Sequence, residues 1–346
     1  MATLSGALTY ADWAKRVDES GKIGMIVELL SQTNEILADM LVVEGNLPTG
    51  HKTTVRTGLP SGSWRLLNAG IPTTKSTTAQ ITATCGNLEA ESQVDVDLVA
   101  LNNDAAAFRL SESRAHFEGI NQQMATQLIY GSEVTNAAGF TGLAPHYSSL
   151  STATAQSAAN VISLAGSGGD CTSIWIVTWG EQTCHGIFPK GKTAGLQHED
   201  RGRWRVTDAS GNFYWAYIDH YKWELGLALR DWRYCVRICN IDTTDLMGNS
   251  PPDLIKALVR GVRRLPTTGA NATPVQTSDA DTIQGAMGRT AIYCNRTVST
   301  YLDIQAMNKT NVLLKMDEWD GKPVTTFRGI PIRTVDAILN TEATVS

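Results

Sequence analysis

Apolar and polar residues alternate along the chain with two periods, one helical and one strand-like. The clearest helical pattern covers residues 104–130, where apolar side chains recur at Phe117, Ile120, Met124 and Leu128. Asn103 or Asp104 can cap the start, and Gly131 follows the end. The pattern predicts one amphipathic helix, about 40 Å long.

The first eighty or so residues carry weaker patterns. Residues 10–41 have helical spacing broken by Gly21 and Gly24, which predicts an N-terminal arm of interrupted helices. Residues 45–83 are rich in Thr, Gly and Pro and hold few large apolar side chains. Such a stretch cannot build its own core, and it is longer than an ordinary loop. We therefore expect an extended hairpin that lies on a neighbouring subunit.

The second half of the chain mixes strand patterns with shorter helices. Residues 174–177 are apolar on both faces, as in a central strand, and a turn-forming cluster at 208–211 predicts a hairpin. Residues 232–238 alternate, with Arg233 and Arg237 opposite the apolar positions, which predicts a half-buried strand. Ser250 and Pro251 are typical of a helix start.

Three further segments complete the pattern. The Ser-rich and Ala-rich residues 148–167 predict a surface segment, Asn295 caps a predicted helix that runs to Met307, and residues 327–338 have strand character. Helices and strands are mixed and do not alternate as βαβ units. The predicted fold class is therefore α+β.

Composition and charge exclude several classes of protein. The formal charge is −5 and charged residues make up 18% of the chain, so the chain has no overall attraction to nucleic acid or to an anionic membrane. Much of its polar surface is Ser, Thr, Asn and Gly, which lose hydration cheaply and suit large subunit interfaces. Six scattered cysteines do not resemble a secreted disulfide framework, and no apolar run approaches the roughly 20 residues of a membrane span. The sequence predicts a protein of a reducing cytoplasm, neither exported nor membrane-spanning.

Residues 186–193, Gly-Ile-Phe-Pro-Lys-Gly-Lys-Thr, match the phosphate-binding loop pattern. A working loop needs a helix whose N-terminus faces the phosphates, and the residues after Thr193 carry no apolar stripe to support one. A surface loop is the preferred interpretation. A nucleotide-binding enzyme that uses Lys192 is kept as an alternative.

Other reactive side chains have simple structural interpretations. Cys171, Cys184, His185 and His198 are zinc-ligand types without the paired spacing of a zinc knuckle, and Cys235 and Cys239 are too far apart on one strand for an unstrained disulfide. Arg260, Arg263 and Arg264 crowd a helix end, where the dipole favours cations; contact with DNA or with another subunit stays open. We expect no catalytic residue, no metal site and no cofactor.

Five collinear phrases resemble those of major capsid proteins from short-tailed and related bacteriophages. They are VRTGLP at 55–60, WRLLN at 64–68, GIFPK at 186–190, LRDWRYCVRI at 229–238 and FRGIPIR at 327–333. The order of the predicted elements also resembles the Hong Kong 97 capsid fold. The resemblance spans nearly the whole chain, and its specificity lies in the order of the phrases.

The resemblance implies a division of the chain. The N-terminal arm is expected at 1–44, the extended loop at 45–83, a peripheral domain with the spine helix at 84–149, an axial domain at 150–266, and a return to the peripheral domain with C-terminal strands at 267–346. The loop begins too early for a fused scaffold, so a separate scaffolding protein is expected. Some relatives join subunits through Lys–Asn bonds; Lys52 and Lys75 lie in this loop, but no carboxylate is placed beside them, and we interpret both as solvated lysines.

The implied function is structural, not enzymatic. Many copies are expected to form hexamers and pentamers of an icosahedral shell around the double-stranded DNA of a tailed phage, with inter-subunit contacts at Arg56, Trp64 and Arg65. A portal protein, a decoration protein where one exists, and DNA bound without sequence specificity are the further partners. The shell would belong to the virion and assemble in the host bacterial cytoplasm. The alternatives are an encapsulin-like compartment with protein cargo and a receptor-binding or decoration protein, against which the long helix argues.

Overall fold

The computed structural model describes residues 31–100, 105–208, 210–248, 251–266, 288–308, 314–319 and 322–346. Residues 1–30 of the predicted N-terminal arm, the predicted helix caps Asn103 and Asp104, and Ser250 lie outside these ranges.

Seven α-helices are present in the described residues: α1 Glu35–Asp39, α2 Val96–Ala100, α3 Ala105–Tyr130, α4 Leu143–His146, α5 Thr243–Met247, α6 Leu254–Arg264 and α7 Arg296–Asn308. The strands are β1 Val42–Glu44, β2 Gly50–Gly58, β3 Thr77–Asp95, β4 Val161–Ser163, β5 Cys171–Trp179, β6 Cys184–Phe188, β7 Leu196–Thr207, β8 Phe213–Leu229, β9 Cys235–Asp242, β10 Arg289–Cys294, β11 Leu314–Trp319, β12 Lys322–Phe327 and β13 Ile330–Thr334. Short 3₁₀ turns occupy Gln156–Asn160 and Trp232–Tyr234.

Backbone pairing connects these strands into one mixed sheet. The main path runs β11-β12-β13-β10-β5-β6-β8-β3-β2, while β9 pairs with β5, β4 with β9, β1 with β6 and β7 with β8. Most pairs are antiparallel, and β10–β13, β4–β9, β1–β6 and β5–β6 are parallel. The helices do not alternate regularly with the strands along the chain, and the sheet is mixed. The α+β class is therefore confirmed.

The central strand β5 is buried on both faces, as its apolar sequence predicts. Ile174 and Ile176 face one core, which α6 and α7 cover. Trp175 and Val177 face the other core, which includes Leu128 of α3. Burial of each large apolar side chain contributes about 1.5–3 kcal/mol, so these two cores are the main source of stability.

The predicted long helix is confirmed as α3. Its apolar residues Ile120, Met124 and Leu128 are buried, whereas Phe117 is only partly covered. The C-terminal half packs into the larger core, and Phe108 in the N-terminal half packs with Val94 of β3. The helix therefore bridges the central sheet and the β3–β8 pair.

The prediction of a half-buried strand at 232–238 is wrong. Residues 232–234 form a 3₁₀ turn, and β9 is buried on both faces along nearly its whole length. Arg237 lies inside the protein because Glu342 of the C-terminal segment pairs with it, with 2.9 Å between Nη2 and Oε2. An alternating pattern cannot reveal a partner that is distant in sequence.

Three smaller predictions need correction. The helix expected to open at Ser250 begins at Leu254, where Asp253 accepts a hydrogen bond from the Lys256 amide at 2.9 Å. Pro251 precedes another proline, which disfavours helical geometry at that position. The surface segment expected at 148–167 contains buried β4, which pairs with β9. The alternation of Val94, Val96 and Leu98 in the sequence predicts a strand, but Val96 and Leu98 belong to α2.

Two local predictions are confirmed. The β7–β8 hairpin closes at the pair Thr207 and Phe213, around the expected turn. The side chain of Asn295 accepts a hydrogen bond from the Thr297 amide at 3.0 Å and caps α7.

Candidate assembly surfaces

A long hairpin projects from the body of the protein, as the sequence predicts. Strand β2 pairs with the first part of β3 from Gly50 opposite Thr84 to Gly58 opposite Thr77. The rest of β3, from Cys85 onward, pairs with β8 in the body. We call residues 50–84 the arm. It corresponds to the predicted extended loop at 45–83 and is distinct from the predicted N-terminal arm at 1–44. Because one uninterrupted strand runs through both parts, the paired part of the arm extends the sheet of the body by about 30 Å.

The root of the arm is held by short polar contacts. Asn46 donates to the Lys52 carbonyl and accepts from its amide, both at 2.7 Å. The Thr84 hydroxyl donates to the Glu133 carboxylate. These contacts fix the direction in which the arm leaves the body.

Two histidines and an arginine meet beneath this root. The rings of His51 and His185 have centroids 5.7 Å apart, and Arg230 lies beside His51. Burial, reinforced by the charges of Arg230 and then His51, lowers the pKa of His185 to about 4. Burial and then Arg230 also lower the pKa of His51. Both pKa shifts favour the neutral form of these two histidines.

The end of the arm exposes an unusual amount of apolar surface. We call residues 59–76 the tip loop. Trp64 is fully exposed, at 105% of its reference area, and the other large apolar side chains of the loop, Leu59, Leu66, Leu67 and Ile71, are each at least 67% exposed. Several large exposed apolar side chains in one loop are typical of an interaction site.

The structure places the three predicted contact residues on the arm. Arg56 lies on β2, exposed and opposite Thr78. Trp64 and Arg65 lie in the tip loop, and both are exposed. Lys52, on β2, and Lys75, in the tip loop, are also exposed. All are accessible to a second molecule.

The arm also has a charge pattern that the individual motifs do not reveal. Residues 45–88 contain Lys52, Arg56, Arg65 and Lys75 and no Asp or Glu. This segment carries a formal +4 in a chain of −5, so the remaining residues carry −9. Absence of acidic residues over this length was a visible sequence signal. It makes the arm electrostatically complementary to the rest of the chain.

A second exposed surface lies at the end of the β7–β8 hairpin, where the sequence pointed to no site. Trp204, Phe213 and Trp215 are each more than half exposed, and the guanidinium of Arg205 lies 3.6 Å from the centroid of the Phe213 ring. Aromatic and arginine side chains dominate many interfaces. The signal was the cluster of aromatic and basic residues on both sides of the turn.

The base of this hairpin is tied to α3. Arg109 Nη2 lies 2.8 Å from Asp219 and 2.7 Å from Asp200, and His198 lies 3.0 Å from Asp219. The rings of His198 and His116 both stack on the Tyr221 ring, at centroid distances of 5.0 and 5.3 Å. The hairpin is thus fixed at its base, while its end is open to contact.

The phosphate-loop alternative lacks the required geometry. Gly186 belongs to β6, and its amide donates to the Leu41 carbonyl at 2.8 Å instead of facing an open cradle. The segment that follows Thr193 is β7, so this segment does not supply the helix N-terminus that a phosphate-binding loop needs. Lys192 is an exposed residue of a turn between two strands.

The cysteines and histidines considered as metal ligands are spread over different strands. Cys171 begins β5, Cys184 begins β6, and His198 lies on β7. Cys235 and Cys239 are free thiols, and burial raises the pKa of Cys235 to about 12 and that of Cys239 to about 11. Across the described ranges, no group of three or more such side chains is arranged to hold a metal ion.

Within the described parts of the chain, no helix has both the length and the apolar character needed to cross a membrane.

A family model and a solved structure match this chain over nearly its whole length. The family of major capsid protein GP7 matches residues 18–346. A solved structure from bacteriophage Epsilon15 has 34% sequence identity, covers 100% of this chain and 99% of its own, and superposes with a TM-score of 0.76. The capsid of bacteriophage JBD30 has 9% identity over 95% of this chain and 99% of its own, with a TM-score of 0.49. No curated protein sequence matches the chain.

Proposed function

Since the chain belongs to the major capsid protein GP7 family and builds the capsid shell of a tailed bacteriophage, we propose that its arm makes the principal contact with a neighbouring copy. The observation that carries this proposal is the fully exposed Trp64 within a loop of exposed apolar side chains. Burial of one such side chain contributes about 1.5–3 kcal/mol. A subunit that exposed this loop permanently would be prone to unspecific association.

The distribution of charge also supports a contact between the arm of one copy and the body of another. The segment that contains the arm carries +4, and the other residues of each copy carry −9. Two copies therefore attract one another through the arm of one and the body of the other. Arg56 and Arg65 supply cations beside the apolar anchor, which is the combination found at interface hot spots.

The proposal extends to the arrangement of the particle. Hexamers and pentamers would form an icosahedral shell, with residues 1–44 as an N-terminal arm, 45–83 as the extended loop, 84–149 and 267–346 as a peripheral domain, and 150–266 as an axial domain. A separate scaffolding protein, a portal protein and, where present, a decoration protein would act with it. Assembly would take place in the host bacterial cytoplasm, around DNA bound without sequence specificity.

The test is assembly of the variant Trp64→Ala. We expect fewer closed shells in negative-stain electron microscopy, and lower heat resistance of those that form, because the apolar anchor is lost. Val134→Ala is the matched control, since Val134 is 96% exposed in a loop outside the arm. Normal yield and normal heat resistance of Trp64→Ala shells would overturn the assignment of the anchor.

A further inference from the structure

Helix α6 divides its residues sharply between an apolar face and a cationic face. Leu254, Ala257, Leu258 and Val262 are buried against the central sheet. Lys256, Arg260, Arg263 and Arg264 are all exposed. At 3.6 residues per turn these four cations fall within an arc of about 100°. We call them the α6 stripe.

The helix dipole accounts for only part of the stripe. Arg263 and Arg264 lie in the last turn, where a cation is favourable. Lys256 lies in the first turn, where a cation is unfavourable. Lys256, Arg260 and Arg264 are also spaced four residues apart, so like charges repel along the helix. The helix dipole therefore does not explain the positions of Lys256 and Arg260.

The stripe has little compensation within the protein. Among the residues that the structure describes, Lys256, Arg260 and Arg263 form no ion pair, and the carboxylate of Asp253 caps the helix by accepting from the Lys256 amide. Arg264 donates to the carbonyl of Val161 at 2.9 Å, which uses one of its five N–H groups. The net positive charge of the face remains available to an external anion.

The composition of the face distinguishes between a polyanion and another protein. Protein interfaces depend on apolar and aromatic anchors, which the tip loop and the end of the β7–β8 hairpin provide. The exposed face of α6 has none of these: its only apolar residue that is not buried, Val259, is partly covered. A phosphate backbone can be bound by Lys and Arg side chains without apolar or aromatic anchors.

We infer that the α6 stripe binds the phosphate backbone of double-stranded DNA. This inference rests on the proposed function, in which the shell encloses DNA. From Lys256 to Arg264 the helix rises about 12 Å, which matches roughly three to four phosphates along one strand of a duplex. Contacts of this kind carry no sequence information, as a packaging shell requires.

The experiment uses the unassembled full chain and a fluorescein-labelled 20-base-pair duplex of random sequence. Fluorescence anisotropy between 50 and 200 mM NaCl gives the slope of log K against log salt concentration. The variant Lys256→Gln/Arg260→Gln/Arg263→Gln is expected to reduce that slope by about 2.7, since each phosphate contact contributes about 0.9. When the salt concentration rises fourfold, the affinity of the original chain for DNA should therefore fall by a factor roughly 40 times larger than the affinity of the variant.

The control has the same net charge. Lys190, Lys192 and Arg203 are exposed outside α6, and their replacement by Gln should leave the slope unchanged. An equal loss of slope in both triple variants, or no binding by the original chain at 50 mM NaCl, would overturn the inference. So would a stripe variant that binds DNA normally but no longer forms shells, because the stripe would then contact another copy. Trp64→Ala tests the arm separately and should keep the full slope.

Discussion

Replacement of Glu342 by Ala should destabilise the protein far more than its position four residues from the C-terminus suggests. The side chains of Glu342 and Arg237 are only 4% and 6% exposed, and their charged atoms lie 2.9 Å apart. The Glu342 carboxylate also accepts hydrogen bonds from Ser173 and Tyr130. The carboxylate therefore satisfies three donors from three different segments.

The size of the effect follows from what the substitution leaves behind. In Glu342→Ala, Arg237 keeps only neutral partners, the Ser173 hydroxyl at 3.2 Å and the Tyr147 carbonyl at 3.1 Å. Loss of one member of a buried ion pair costs about 3–5 kcal/mol. The C-terminal segment should stay attached, because Asn240 exchanges two hydrogen bonds with Val345. The loss is therefore that of an unpaired buried charge, not of a detached tail.

Urea unfolding of the unassembled chain measures this loss. We expect Glu342→Ala to lower the free energy of unfolding by about 3–5 kcal/mol, and Arg237→Met/Glu342→Leu to recover most of it, since no charge then remains buried. Leu339→Ala, a truncation of a side chain that is 46% exposed in the same segment, is the control. A loss below about 1 kcal/mol for Glu342→Ala, or a double variant as unstable as the single one, would refute the reasoning.

Two further predictions concern stability measured by the same unfolding assay. The pKa of His185 is about 4 in the folded chain, below the ordinary histidine value of 6.5, so the unfolded state binds its proton first as the pH falls. The free energy of unfolding should therefore fall by about 1–3 kcal/mol as the pH is lowered from 6.5 to 4. The variant His185→Gln should show a smaller fall over the same range. An equal fall in both proteins would contradict this prediction. In the second case, Gly119→Ala should stabilise by about 0.5–1 kcal/mol, because nothing lies near its added methyl. Gly261→Ala should destabilise by about 1 kcal/mol, because a Cβ there lies 2.7 Å from the Ile176 Cδ1 atom; equal effects at both positions would be evidence against tight packing of α6.

Elements with local signals were the ones that could be predicted from the sequence. Helix α3 has a long apolar stripe and the β7–β8 hairpin has a turn cluster between two strands, and both are present. The cap of α7 by Asn295 depends on two neighbouring residues only. In each case the interaction that decides the structure lies within one turn or one hairpin.

Elements decided by distant residues were predicted less well. Strand β9 alternates as a surface strand would, and its burial depends on Glu342, which lies 105 residues from Arg237. The start of α6 was placed too early because Ser250 and Pro251 imitate a helix start, while the actual cap is Asp253. Segment 148–167 contains a strand only because β9 is available as its partner.

The arm shows why a shell protein can be recognised before its contacts are known. Its Thr-rich sequence lacks the residues for a core, so a hairpin that leaves the body follows from the sequence alone. The residues that receive it belong to another molecule, and no pattern within one chain identifies them. Charge is the exception, because +4 in the segment containing the arm against −9 elsewhere is a property of the sequence that already favours association between copies. High salt should therefore weaken the contact of Arg56 and Arg65 and leave the apolar contact of Trp64, so the two contributions can be separated experimentally.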